Sequence, residues 1–317
     1  MRKFFLGFLA FLMLLFLTLI AGAGYFAGDY FVNYTLKRGN SADPYGPPQA
    51  YSATLGVKNP PIAHKPRYTS EAWQITSDDG LKLLATHFTP RQTSNRWVIL
   101  VHGYGGNQTY MWNMANAYLR NGYQVLTPDL RASGHSEGQY ITLGILESRD
   151  IIVWSKQIIK DDPAAEIVLH GVSMGAATVM LATANQLPPN VRAVVEDSGY
   201  TSAYSMLQKE LTKVITQVPP QPILWAANIM TKMRTGVFFS DATPLKAVQH
   251  STIPTLFIHG ESDQLVPFAM MGELFAASSA PDKKELAVED ATHAMSYVVA
   301  PREYFSTVFK FLDAHLS

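Results

Sequence analysis

The sequence predicts an α/β fold built on a mostly parallel, eight-stranded sheet flanked by helices. Three observations favour this fold. Short apolar stretches alternate with helical stretches along most of the chain, as expected for parallel strands joined by crossover helices. A hairpin with its turn at Asp78-Asp79-Gly80 precedes that alternation. One apolar strand also runs directly into a glycine-flanked serine and then into a helix of small residues. Strands are expected near 72–76, 81–88, 97–102, 124–128, 166–171, 192–196, 254–259 and 284–288, and helices over 111–121, 142–160, 175–187 and 304–315.

The amino-terminal segment has Met1-Arg2-Lys3 followed by an uncharged, strongly apolar run over residues 4–27. About 20 apolar residues suffice to cross the hydrocarbon core of a bilayer. Basic residues before the run and Asp29 behind it favour a cytoplasmic amino terminus. We therefore expect residues 1–28 to be a single-pass anchor in the cell membrane, with the rest of the chain on the extracytoplasmic side. The alternative is a cleaved signal peptide with Ala21-Gly22-Ala23 as its cleavage site.

Residues 29–67 are rich in proline, glycine, serine, asparagine and tyrosine. Repeated prolines, as in Asp43-Pro44-Tyr45-Gly46-Pro47-Pro48, prevent a continuous helix or strand. We expect a spacer that holds the folded body off the membrane, with contacts to that body through Tyr51 and Leu55. The body then covers residues 68–317.

The predicted strand at 97–102 leads into the glycine-rich loop His102-Gly103-Tyr104-Gly105-Gly106. Glycines let a backbone approach a bound group closely. A phosphate-binding loop of the G-x-x-x-x-G-K-[ST] type needs a lysine that this loop lacks, so it is not predicted to bind phosphate. His102 and His259 each precede a glycine at a strand end, and both are interpreted as hydrogen-bonded loop residues rather than bases.

The most informative stretch is residues 167–176, where an apolar strand runs into Gly171-Val172-Ser173-Met174-Gly175. G-x-S-x-G between a strand and a helix is typical of a nucleophile elbow, a sharp and strained turn that projects the serine. Side chains at Gly171 and Gly175 would crowd such a turn. Ser173 is therefore the predicted nucleophile, and an ordinary tight turn is the alternative.

A serine nucleophile requires a base, and the base requires an acid that orients it. Asp263 follows one apolar strand, and His293 follows a short strand further along the chain. The order serine, acid, histidine fits a catalytic triad, as does the position of each residue in a loop at a strand end. Asp197, which also follows a strand, and Glu261 are the alternatives for the acid.

Two backbone N–H groups are candidates for an oxyanion hole, the set of donors that stabilises negative charge on a carbonyl oxygen. One belongs to Met174, the residue after the serine, and the other to Tyr104 in the glycine-rich loop. Each donor of this kind typically lowers the barrier by about 3 kcal/mol.

Residues 201–250 depart from the β/α alternation before the acid-bearing strand. Inserted there, they are expected to form a small helical cap over the catalytic edge of the sheet. The apolar side chains of Trp225 and Met233 are candidates for lining an acyl-binding substrate pocket. The alternative is that they pack the cap onto the body.

Taken together, these motifs resemble those of α/β-hydrolase-fold serine hydrolases, in particular the small-cap branch with the Bem46-like and serine-aminopeptidase-like hydrolases. The resemblance covers roughly residues 70–317. It implies an α/β-hydrolase fold, with Ser173 as nucleophile, His293 as general base and Asp263 as the orienting acid. It supplies no substrate, because such enzymes act on esters, thioesters, amides and lipids. The matching blocks are V-I-L-V-H-G-Y-G-G-N (98–107), D-L-R-A-S-G-H-S-E-G (129–138), H-G-V-S-M-G-A (170–176), P-T-L-F-I-H-G-E-S-D-Q-L-V-P (254–267) and A-T-H-A (291–294).

Composition disfavours several classes of function. The chain has no cysteine, which argues against a cysteine nucleophile or a thiolate metal site. Its 25 basic and 25 acidic residues balance, so charge gives no reason to expect nucleic acid as a partner. No pair of histidines has a convincing metal-ligand spacing, and neither a metal nor another cofactor is expected.

We therefore expect a serine hydrolase that cleaves carboxylic ester or related acyl bonds outside the cytoplasm, through an acyl-enzyme on Ser173. Its substrate would be a small molecule or a lipid with an acyl group. A peptidase of the aminopeptidase type or an acyltransferase would use the same triad. A non-catalytic binding protein on the same scaffold is disfavoured, because all three triad residues are present.

Overall fold

The computed structural model describes residues 2–38 and 64–317. Within these residues, eight strands form one sheet. They are β1 (Thr69–Thr76), β2 (Lys82–Thr89), β3 (Arg96–Val101), β4 (Gln124–Pro128), β5 (Glu166–Val172), β6 (Val191–Asp197), β7 (Thr255–Gly260) and β8 (Lys283–Val288). Their order is β1-β2-β4-β3-β5-β6-β7-β8; β2 pairs antiparallel with β1 and β4, and the other neighbours are parallel. The predicted mostly parallel, eight-stranded sheet is confirmed.

Helices flank this sheet. They are α1 (Arg2–Thr35), α2 (Trp112–Arg120), α3 (Ile145–Asp161), α4 (Met174–Thr183), α5 (Ala203–Val214), α6 (Pro220–Thr235), α7 (Pro244–Val248), α8 (Ala269–Ala277), α9 (Ser296–Val299) and α10 (Pro301–Asp313). Single turns of 3₁₀-helix lie at Gln108–Met111 and Phe239–Asp241.

The alternation of side chains along β3 shows how the two faces of the sheet are covered. Val98 and Leu100 belong to a buried cluster that includes residues of α2 and α10. Ile99 and Val101 point the other way, into a cluster with residues of α3, α4 and α6. Because successive side chains of a strand point to opposite faces, the sheet is buried between two helical layers.

The loops that carry the predicted site residues lie at one edge of the sheet. Ser173 directly follows β5, Asp263 follows β7, and His293 follows β8. These three strands run parallel, since β5 pairs with β6, β6 with β7, and β7 with β8 in parallel register. The carboxyl ends of parallel strands meet at the same edge, which is where sites form in open α/β sheets.

Helix α1 is one continuous helix of 34 residues. Its segment Phe4–Thr35 is long and apolar enough to cross a membrane, by length and composition. Its carboxyl-terminal turns are partly buried. The same buried cluster contains Phe31 and Val32, Leu36 just beyond the helix, and residues of α6. The helix thus continues into the predicted spacer, since residues 29–35 contain no proline or glycine and supply apolar side chains that the body buries.

The remainder of that predicted spacer is only partly visible. Residues 39–63, with Tyr51 and Leu55 among them, lie outside the described residues. The proposed division into residues 1–28, 29–67 and 68–317 therefore stays a prediction.

Helices α5, α6 and α7 form the insertion between β6 and β7. Pro220 occupies the first position of α6, where a missing N–H costs nothing, and Gly236 ends that helix with a φ of 80°. Leu224, Ala227 and Met230 of α6 are buried against the body. Their spacing of three residues places them on one face of the helix.

Candidate active site

The turn that carries Ser173 is sharp and strained. Ser173 lies between β5 and α4 with a φ of 58° and a ψ of −120°, a conformation that costs a non-glycine residue of order 1–3 kcal/mol. A Cβ added to Gly171 would collide with the carbonyl group of Gly175, and one added to Gly175 would collide with the carbonyl oxygen of Val101. Both glycines are therefore required by close backbone packing, and the turn has the geometry expected of a nucleophile elbow.

Ser173, His293 and Asp263 form a continuous hydrogen-bonded chain. His293 Nε2 lies 2.7 Å from Ser173 Oγ, and His293 Nδ1 lies 2.7 Å from Asp263 Oδ2. The second oxygen of Asp263 accepts the backbone N–H groups of Leu265 and Val266, each at 2.9 Å. The side chains of Ser173, His293 and Asp263 are all buried. The structure thus brings together three residues that the sequence placed on separate loops.

The carboxyl group of Asp263 also contacts a second histidine. His259 Nε2 lies 3.1 Å from Asp263 Oδ2 and 3.0 Å from the carbonyl oxygen of Val266. Burial alone would raise the pKa of Asp263, but the hydrogen bonds from His259 and His293 outweigh it and lower that pKa to about 2. Burial would lower the pKa of His259, but its hydrogen bond to Asp263 and the charge of Glu196 raise it. Asp263 is thus held as a carboxylate facing two imidazoles.

His259 was missed as a site residue by sequence reasoning. It precedes a glycine at a strand end and was interpreted as a hydrogen-bonded loop residue, which it is, but its partner is the carboxylate of the candidate triad. The spacing His259-x-x-x-Asp263 was the available signal, since a short loop after β7 turns the acid back toward the strand end.

Asp197 takes part in a different network. Its carboxyl group accepts hydrogen bonds from the hydroxyl of Ser198 at 2.9 Å and from that of Tyr304 at 2.8 Å. Its backbone carbonyl accepts the N–H of Ser173 at 2.8 Å. Burial raises the pKa of Asp197. The backbone of Asp197 thus supports the turn that carries Ser173. The imidazole of His293, by contrast, contacts the carboxyl group of Asp263.

Glu261, the other alternative for the acid, has an exposed side chain, and its backbone N–H donates to the carbonyl of Val288 at 3.0 Å. That bond places its backbone alongside β8. In the described contacts its carboxylate has no bond to His293, so the geometry favours Asp263 here too.

The glycine-rich loop is locked by His102. The backbone N–H of Leu130 donates to His102 Nε2 at 3.1 Å, so the proton is on Nδ1, which donates to the carbonyl of Gly103 at 2.8 Å. Burial lowers the pKa of His102, in keeping with a neutral ring. The Gly106 N–H closes the loop on the carbonyl of Gly103 at 3.2 Å. His102 is thus a hydrogen-bonded loop residue, in agreement with its interpretation from the sequence.

The two candidate oxyanion donors lie on segments that touch each other. Met174 is the first residue of α4, and the first N–H groups of a helix have no acceptor within it. The start of α4 packs on the end of β3 so tightly that Gly175 meets the carbonyl oxygen of Val101. Tyr104 follows that strand end by a few residues, and its phenol donates a hydrogen bond to the carbonyl of Thr35, the last residue of α1.

Comparison with known proteins agrees with this architecture. A family model described as alpha/beta hydrolase fold matches residues 96–214. The chain is 25% identical to the esterase Pf2001 of Pyrococcus furiosus, with a TM-score of 0.65, over 79% of this chain and 92% of that structure. The chain has the α/β-hydrolase fold.

Two curated relatives align with most of the chain. The uncharacterised protein YqkD of Bacillus subtilis (strain 168) is 29% identical over 243 residues, which is 76% of this chain and 79% of the relative. The monoglyceride lipase of Homo sapiens is 22% identical over 254 residues, which is 70% of this chain and 82% of the relative. Membership of the Bem46-like branch stays a prediction.

Trp225 and Met233 do not point in the direction expected of pocket residues. Both lie on the outer face of α6, and their exposed fractions are 69% and 70%. They line an open groove of about 660 Å³ between α6 and α1, together with Tyr25 and Ile229. Their role as acyl-pocket residues finds no support in this geometry, because a side chain on the outer face of a helix points away from the body that holds Ser173.

Among the residues that the structure describes, no group of three or more histidine, aspartate, glutamate or cysteine side chains could hold a metal ion. The acidic and imidazole groups of the candidate site contact each other instead, as the hydrogen bonds of Asp263 illustrate.

Proposed function

We propose that this α/β-hydrolase is a serine hydrolase that cleaves carboxylic ester bonds through an acyl-enzyme on Ser173. The observation that carries the proposal is the chain of hydrogen bonds from Ser173 Oγ through His293 to Asp263, with 2.7 Å at each step. A serine with an ordinary structural role has no need of a strained φ, a buried imidazole and a carboxylate in line.

In the acylation step, Ser173 Oγ attacks the carbonyl carbon of the ester while His293 Nε2 takes the hydroxyl proton. The carbonyl electron pair moves to the oxygen, which the backbone N–H groups of Met174 and Tyr104 would stabilise. Asp263 stays a carboxylate and balances the imidazolium charge of His293. The tetrahedral intermediate then expels the alcohol, which receives the proton from His293 Nε2.

In the deacylation step, water replaces the alcohol. His293 Nε2 takes a proton from the water as its oxygen attacks the acyl carbon, and a second tetrahedral intermediate forms. Its collapse breaks the bond to Ser173 Oγ, which recovers its proton from His293. The carboxylic acid leaves, and the enzyme returns to its starting state.

An ester is the favoured substrate class because two of the proteins similar to this chain are described as an esterase and a monoglyceride lipase. We further propose that α1 is retained as a single-pass anchor, with the catalytic body on the extracytoplasmic side of the cell membrane. The helix runs unbroken through Ala21-Gly22-Ala23, the alternative cleavage site, and its last turns are buried against the body.

The decisive test is labelling of the full chain with a fluorophosphonate, which reacts covalently with an activated serine. We expect labelling of the wild type and of Ser205→Ala, and none of Ser173→Ala. Ser205 is the matched control, since it lies on α5 and its hydroxyl donates to the backbone carbonyl of Ser202, the residue before that helix. Turnover of p-nitrophenyl esters of graded acyl length should follow the same pattern.

Two parallel assays separate the related activities. Faster cleavage of aminoacyl amides than of esters would make the enzyme a peptidase, and transfer of the acyl group to an added alcohol in preference to water would make it an acyltransferase. Folded wild-type protein that neither labels nor turns over any of these substrates would contradict a catalytic function and favour a binding protein.

A further inference from the structure

Helix α6 is apolar on two faces, although the body covers one of them. Leu224, Ala227 and Met230 are buried in the core. Trp225, Ile229 and Met233 recur every four residues on the outer side, with exposed fractions of 69%, 37% and 70%. A surface helix normally carries polar residues on its outer face, and a second apolar face marks a surface that meets something other than water.

The outer face of α6 continues onto α1. The groove between the two helices is lined from α1 by residues 23–25 and Ala27, and from α6 by the three exposed apolar side chains and their neighbours. Its lining is almost entirely apolar. The apolar surface of the insertion is thus continuous with the segment proposed as the membrane anchor.

Helices α1 and α6 are held in a fixed relation. A Cβ added to Gly28 would lie 2.8 Å from the carbonyl carbon and oxygen of Ala226, so the two backbones are in close contact. Asp29 forms an ion pair with Arg234 at 2.8 Å. Beyond the helix, the guanidinium of Arg38 donates to the carbonyls of Ser136 and Gly134 at 2.5 and 2.7 Å. The body is therefore docked on the helix rather than tethered by a free linker.

The level of the groove along α1 follows from helix geometry. From Phe4 to Ala23 the helix rises by about 30 Å, which is the thickness of the hydrocarbon core. The side chains described over this stretch are exposed wherever they are large and apolar. The groove begins where this stretch ends, and the exposed ring of Tyr25 lies at the depth where tyrosine is enriched in membrane proteins.

We propose that the outer face of α6, formed by Trp225, Ile229 and Met233, is inserted into the headgroup boundary of the bilayer that α1 crosses. This inference rests on the proposed anchor and is independent of the proposed chemistry at Ser173. Lys232 and Arg234, exposed at the end of α6, stand beside this face where phosphate groups of the lipids would lie. The body thus lies on the bilayer surface instead of being held off it.

A second copy of the chain is the competing occupant, because Gly24 and Gly28 have the spacing of helix-dimer motifs. Gly28 is buried against Ala226 of the same chain, however, so this motif is already occupied within the monomer. The bilayer is favoured because it meets the exposed apolar part of α1 and the α6 face at once.

The test uses full-length protein in liposomes of phosphatidylcholine with or without bromine atoms on the acyl chains near the headgroups, which quench nearby indoles. We expect wild-type tryptophan emission to fall in the brominated liposomes and most of this loss to disappear in Trp225→Phe. Trp112→Phe is the matched control, since this half-buried indole lies on α2, on the opposite face of the sheet. It should retain the wild-type loss of emission.

The outcomes separate the proposals. Protein that floats with the liposomes but shows equal quenching in the wild type and Trp225→Phe would overturn the insertion of α6 and leave the anchor intact. A detergent-solubilised dimer that Trp225→Ala converts to monomers would overturn it in favour of a second copy. Protein that does not float would overturn both the anchor and this inference, whereas fluorophosphonate labelling of Ser173 would still report on the catalytic proposal.

Discussion

The phenol of Tyr104 donates a hydrogen bond to the carbonyl oxygen of Thr35, at the carboxyl end of α1. The bond joins the loop that carries one proposed oxyanion donor to the last turn of the apolar helix. Burial raises the pKa of Tyr104 to about 12, so the phenol stays protonated and remains a donor at neutral pH. The helix therefore contributes to the shape of the candidate site.

Tyr104→Phe should reduce kcat for ester hydrolysis. A typical hydrogen bond contributes about 1 kcal/mol, and if that energy holds the loop for oxyanion binding, the rate falls about fivefold. Steady-state kinetics on a short p-nitrophenyl ester would measure the fall in kcat, with Tyr140→Phe as control, since Tyr140 is a half-buried tyrosine in the segment between β4 and α3. An unchanged kcat in Tyr104→Phe would show that the loop keeps its shape without the helix.

Ser173→Ala and Ser173→Gly should both reduce kcat roughly a millionfold. The two variants should nevertheless differ in their free energy of unfolding. Glycine adopts a φ of 58° and a ψ of −120° without strain, whereas alanine does not. We expect the glycine variant to be about 1 kcal/mol more stable than the alanine variant. Urea unfolding of the two variants is the measurement, and equal midpoints would contradict strain at the turn.

Asp263→Asn and Asp197→Asn distinguish the two candidate acids. An amide at residue 263 cannot hold His293 as the carboxylate does, and kcat should fall about 10⁴-fold. An amide at residue 197 disturbs the bonds from Ser198 and Tyr304 and should mainly reduce the free energy of unfolding, by about 1–3 kcal/mol. Kinetics and urea unfolding of both variants would check this. The reverse pattern in kcat would transfer the role of the acid to Asp197.

Glu196 gives a prediction for the dependence of stability on pH. Burial raises the pKa of its carboxyl from 4.5 to about 8, against the opposing effect of the charge on His259. The folded state therefore binds more protons than the unfolded state between these values, and the free energy of unfolding should fall as pH rises from about 4.5 to about 8. Glu196→Gln should flatten this fall.

Urea unfolding at both ends of that pH range would measure the change. Glu261→Gln, a substitution of an exposed residue nearby in the fold, is the control and should keep the wild-type slope. A wild-type slope in Glu196→Gln as well would show that Glu196 ionises in the folded protein as it does in the unfolded chain.

The local features of the candidate site could be read from the sequence because each depends on a short stretch of chain. Gly171 and Gly175 indicate a turn with no room for a Cβ, and the structure shows backbone carbonyls at both places. The order of Ser173, Asp263 and His293 indicates three loops at one sheet edge, because parallel strands bring their carboxyl ends together. The hydrogen bonds among them are a consequence of that topology.

Features that depend on distant segments could not be predicted in this way. The sequence shows that Trp225 and Met233 are apolar, but whether they face the body or α1 depends on how an insertion docks against a helix some 200 residues away in the chain. The end of α1 at Thr35 likewise reflects burial of Phe31 and Val32 on α6, not the local pattern. His259 was missed for a different reason, since its partner Asp263 is only four residues away and the contact depends on how the short loop between them folds.

The unbroken course of α1 has a mechanical consequence. The helix is a rod of about 50 Å without a hinge, and its end is fastened to the body by Gly28 and Arg38. Any tilt at one end is then a tilt at the other. If α1 crosses a bilayer as proposed, the thickness of that bilayer sets the tilt of the helix and with it the angle at which the body meets the lipid surface. Membranes of different thickness would in that case orient the same body differently relative to the lipid surface.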